Sequence, residues 1–66
     1  MTTTIKIEMA NNSDARRADV LRSIRGASCR HNGGKIVIAT VDSDDLDAAR
    51  ELLEESHAVK SFEVRS

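Results

Sequence analysis

Aromatic side chains are almost missing from this chain: there is no tryptophan, no tyrosine and a single phenylalanine, Phe62, in 66 residues. Sheet proteins that read single-stranded RNA stack bases on rings carried by their strands, and only the strand around Phe62 has a ring to offer. Nucleic-acid recognition of that kind is therefore not expected, and Phe62 reads as core. The one cysteine, Cys29, excludes an internal disulfide. A phosphate-cradling glycine motif, paired catalytic carboxylates and a serine–histidine constellation are all missing, which points away from an enzyme. No stretch reaches the ~18 apolar residues of a membrane span. Met1 to Lys6 also lacks a charged region followed by an apolar run, so the expected setting is a reducing, cytoplasmic one with no membrane partner.

What is present is the composition of a folded domain: 39% hydrophobic, 32% charged and without proline. At this length one domain is expected, and it buries only about 60% of the surface its unfolded chain exposes. Association with a second copy or another protein would compensate. The net charge of -1 conceals an asymmetry. Residues 1–35 carry seven basic groups against three acidic ones, a balance of +4, and residues 36–66 carry three against eight, a balance of -5. This pattern predicts two oppositely charged helices bridging across their seam, or a basic face for an acidic partner.

Thr2 to Met9 alternates, with Thr3, Ile5, Ile7 and Met9 on one side and Thr4, Lys6 and Glu8 on the other, as in a half-buried strand. The polar cluster Asn11 to Asp14 offers helix caps. A first helix is expected from about Ser13 to Arg25, with Ala18, Leu21 and Ile24 spaced by threes and Gly26 as its stop. Asn32-Gly33-Gly34 then supplies the positive φ angles of a tight reversal between two strands. The second of these, Lys35 to Val41, is apolar on both parities, which suits a central position. Asp42, Ser43, Asp44 and Asp45 place caps and acids at the start of a second helix running to about Ser56. A last strand, Val59 to Arg65, turns Phe62 and Val64 inward.

The order β-α-β-β-α-β is the ferredoxin-like split unit, an α+β fold with a four-stranded antiparallel sheet and two helices on one face. Right-handed crossovers put the first and third strands in the middle. The opposite face has no helix over it, and Thr4, Lys6, Glu8, Val37, Ala39 and Val41 are expected there. Lys6, Glu8, Val37 and Ala39, with Ser28 and Arg30 at one edge, are the candidate partner-binding residues. An outer strand leaves backbone groups unpaired, so an edge is a second candidate contact.

Cys29 and His31 stand two apart in a strand and so share a face, which raises a metal pair or a nucleophile with its base. Tight soft-metal sites want three or four ligands, and only His57 and the methionines, Met9 among them, remain to help. Two copies joining their pairs would be the route to such a site. The acids at 42, 44, 45 and 47 lack the glycine and glutamate of a calcium loop and read as helix capping. Arg16, Arg17, Arg22, Arg25 and Arg30 could meet phosphates.

Thr4-Ile5-Lys6-Ile7-Glu8-Met9, with the looser stretch Val41 to Arg50, resembles the small heavy-metal-associated domains, whose first strand also ends near a methionine before a loop and a helix. The family's Cys-x-x-Cys does not occur: the loop after Met9 reads Ala10-Asn11-Asn12-Ser13-Asp14-Ala15. The resemblance thus implies a member without copper transfer and with no cofactor, acting as a protein-binding surface. Ligand-binding domains of the ACT type share the same order, but Ser13 and Asp14 stand where they usually place a glycine. The leading expectation is a small non-enzymatic interaction module, an inhibitor or adaptor, acting on a protein partner or as a homodimer. A metal- or small-ligand-binding regulatory domain and a nucleic-acid-backbone binder through the basic first helix are the alternatives.

Overall fold

The computed structural model describes residues 1–65 and has the expected α+β architecture. Its elements are β1 (Thr2–Met9), α1 (Asn12–Arg17), β2 (Ser28–His31), β3 (Ile36–Asp42), α2 (Leu46–Glu55) and β4 (Val59–Arg65). A 3-10 turn at Ser43–Asp45 leads into α2. The four strands form one antiparallel sheet in the order β2-β3-β1-β4, with the first and third strands central. That is the ferredoxin-like arrangement.

Register decides which side chains meet the helices. Ile5 lies opposite Ala39 and Ile7 opposite Val37, so these four share a face, as do Thr3 and Val41. On the flanking strands Val64 and Phe62 join the same rows beside Ile5 and Ile7, and Cys29 and His31 join beside Ala39 and Val37. Ala15 of α1, Leu21, and Ala49 and Leu53 of α2 close over these rows to form the core. Thr3, buried there, shares a 3.0 Å hydrogen bond with the Ser43 hydroxyl.

This register corrects the expected composition of the open face. Val37, Ala39 and Val41 are fully buried under the helices, and Ile36, Ile38 and Thr40 turn outward. With both parities of β3 apolar, alternation could not choose between them. Pairing with β1, whose apolar side is unambiguous, makes the choice.

The first helix is also shorter than its spacing predicts. The Asn11 side chain accepts a 2.9 Å bond from the Asp14 N–H, capping the start, and the helix stops where Ala18 enters the left-handed region at φ 49°. Hydrogen bonds three residues apart then carry the chain through Asp19–Arg22, Leu21–Ile24 and Ile24–Ala27. Burial explains the break. Ala15 and Leu21 are both fully buried, but at 3.6 residues per turn a straight helix would set them about 120° apart. Breaking the helix at Ala18 lets both reach the core. Gly26, at φ 84°, closes this turn-rich segment instead of capping α1.

At the hairpin, the Asn32 N–H donates to Ile36 and the Ile36 N–H to Gly33, with both glycines at positive φ. After β3, the Asp42 side chain accepts from the Asp44 N–H at 3.3 Å, so the acidic run caps the turn ahead of α2. The expected seam of ion pairs between the helices does not form: the one ion pair among the described residues joins Lys60 to Glu8.

Candidate functional site

The helix-free face of the sheet is ordered in rows set by strand pairing. One row runs Ser28, Thr40, Thr4, Arg65, and the next runs Arg30, Ile38, Lys6, Glu63. A third carries Ile36, Glu8 and Ser61. Directly paired Cα atoms lie ~4.5–5.5 Å apart, so neighbours within a row can touch. Ile38 is therefore flanked by the basic groups of Arg30 and Lys6, and Ile36 sits beside Glu8. Both isoleucines are half-buried. Lys6, Glu8, Ile36, Ser61, Phe62 and Glu63 line a shallow depression of about 200 Å³ on this side.

Of the residues expected here, Lys6, Glu8, Ser28 and Arg30 lie on this face and Val37 and Ala39 lie beneath it. The residues missed are Ile36 and Ile38. Their bulk hid them, because β-branched apolar residues read as core unless register says otherwise.

A β-bulge adds Lys60 to the group. Glu8 pairs with Ser61 but Met9 pairs with Val59, leaving Lys60 as an extra residue in β4. Its Nζ reaches Glu8 Oε2 at 3.3 Å. The sheet's two edges are blunted by different means: β2 is four residues long, and β4 carries the bulge and charged side chains.

Cys29 and His31 share the helix side, as their spacing requires, but they do not work together. His31 Nε2–H donates to the Gly34 carbonyl at 3.0 Å, so the imidazole braces the hairpin turn. Met9 is buried on β1, and His57 follows the end of α2. Among the described residues no three His, Cys, Asp or Glu side chains gather as a metal site would need. Burial pushes the Cys29 thiol above its ordinary range and the nearby Asp19 charge adds to this, while a hydrogen bond from the Leu21 backbone pulls the other way. A thiol so placed is a poor nucleophile at neutral pH.

Cys29 also lies in a groove of about 420 Å³ beside β2, walled by Arg17, Ala18, Asp19, Leu21, Arg22 and Ala27. A second groove, about 350 Å³, runs between Ser23–Ile24 and α2 over Leu52, with Glu51 and Glu55 on its rim. Compared with protein-family models, curated proteins and solved structures, the chain matches none.

Proposed function

We propose that this chain is a small non-enzymatic interaction module whose helix-free sheet face binds a protein partner, a second copy being the first candidate. The observation that carries this reading is the placement of Ile36 and Ile38. Ile38 occupies the middle row of a face that no helix covers and Ile36 the row beside it at the hairpin end, with charges of both signs around them. An apolar centre with a polar rim is the anatomy of an interface. Lys6, Arg30 and Arg65 face Glu8 and Glu63 on the same surface, so a copy turned about a two-fold axis can set acid against base. Because β2 is only four residues long and β4 carries the bulge, neither edge can pair two copies over a useful length, and the face is favoured for self-association. The layout resembles heavy-metal-associated domains, and the reading keeps their sheet surface without their metal loop.

Size sets the strength. Four strands ~4.8 Å apart and seven residues at ~3.4 Å each give a footprint of roughly 450 Å². A standard interface takes ~800 Å² per partner, so the association is weak and concentration-dependent. Sedimentation velocity over a wide concentration range tests it. A dimer that Ile38→Asp or Lys6→Glu dissociates supports self-association. A monomer at every concentration transfers the claim to a different protein, to be captured by wild-type bait and lost with Ile38→Asp. Loss of neither kind of binding on Ile38→Asp sinks the sheet-face reading.

A further inference from the structure

The groove beside β2 has features the open face does not use. Ala18, Ala27 and the half-buried Cys29 form a small apolar floor above the fully buried Leu21, and Arg17 and Arg22 stand on its walls. Neither arginine is in an ion pair among the described residues, and both are exposed. Asp19 is the single acid on the wall. The groove adjoins the start of β2, an edge strand with one side of its ladder free.

We propose that this groove and the free edge of β2 receive an extended acidic peptide segment of a protein partner. The peptide adds as a short strand along Ser28–His31, an apolar side chain seats over Ala27 and Cys29, and acidic side chains flanking it meet Arg17 and Arg22. Charge decides the sign of the partner, and the apolar floor decides its class. A phosphate backbone would satisfy the arginines but leave the floor empty, and the strands lack the rings that would hold its bases. Only one or two ladder hydrogen bonds fit on so short a strand, so the arginines supply much of the affinity and salt weakens it.

The proposal is separable from the sheet-face reading, because the groove lies on the helix side and Ile38 on the other. Panning a library of random nonapeptides against the full chain tests it. The expected winners alternate acidic and apolar residues. A fluorescently labelled winner should lose about tenfold or more in affinity against Arg17→Glu or Arg22→Glu and about the same when its alternate backbone amides are N-methylated. Ile38→Asp should leave its binding within roughly twofold. Circular dichroism on the arginine variants, whose side chains are exposed, verifies that the fold is kept. A library with no acidic bias, winners indifferent to both arginines, or displacement by an oligothymidylate of equal charge each overturns the proposal.

Discussion

Glu8 Oε2 lies 3.3 Å from Lys60 Nζ, and the two meet because β4 holds one residue more than β1 between their matched positions. Without the bulge, Lys60 would fall on the core parity of its strand. With it, the lysine lies over the open face and turns a core-directed position into a surface charge. The pair is well exposed, 70% at the lysine and 39% at the glutamate, so its direct worth is small. Lys60→Ala should cost less than about 1 kcal/mol in urea unfolding, and the loss should shrink further at high salt.

The inverted burial of β3 gives a sharper test. Val37→Ala empties part of the core and should cost about 2 kcal/mol, whereas Ile38→Thr, on the open face, should cost less than about 1. Against the ~3–10 kcal/mol of a domain this size, the first shift is plain in a denaturation curve. Equal costs, or the reverse order, would place the strand in the other register.

Ala18 offers a test of the break after α1. At φ 49° an alanine is strained, and glycine there should raise stability by about 1 kcal/mol. Were the helix continuous to Arg25, the same Ala18→Gly change would lower stability by a similar amount. The sign of the change in urea midpoint distinguishes the two backbones.

Cys29 links burial to pH. Its thiol holds its proton to higher pH folded than unfolded. The resulting stability is complete below the unfolded thiol's pKa and is lost as pH rises through the folded one. Wild-type chain should therefore lose more stability than Cys29→Ser across the alkaline range in thermal melts. Iodoacetamide should also label native Cys29 more slowly than the urea-unfolded chain at neutral pH.

Legibility in the sequence followed how many patterns a segment could satisfy. β1 was readable because only Thr3, Ile5, Ile7 and Met9 could face a core, and the Asn-Gly-Gly reversal and the acidic start of α2 were readable as local chemistry. β3 was not, since Ile36 and Ile38 compete with Val37, Ala39 and Val41 and the contest is settled by a partner strand distant in sequence. Ala18, Leu21 and Ile24 keep helical spacing, yet the core needs Ala15 and Leu21 together, a constraint visible only in three dimensions. Likewise the two-residue spacing puts Cys29 and His31 on one face, but the Gly34 carbonyl that occupies the imidazole cannot be read from spacing. The charge asymmetry was real, and its expected seam did not form because the arginines near α1 point to solvent.

The pairing of Thr4 with Arg65 and of Thr2 with Asp42 puts the start of β1 and the end of β4 side by side, at the end of the sheet away from Gly33-Gly34. The fold is thus suited to circular permutation: a short flexible linker can join the two strands, with new termini opened between the two glycines. Such a permutant keeps every strand neighbour but replaces the covalent β2–β3 turn with a β4–β1 one. Which strands find each other first would then depend on where the chain is cut, while the final sheet would not.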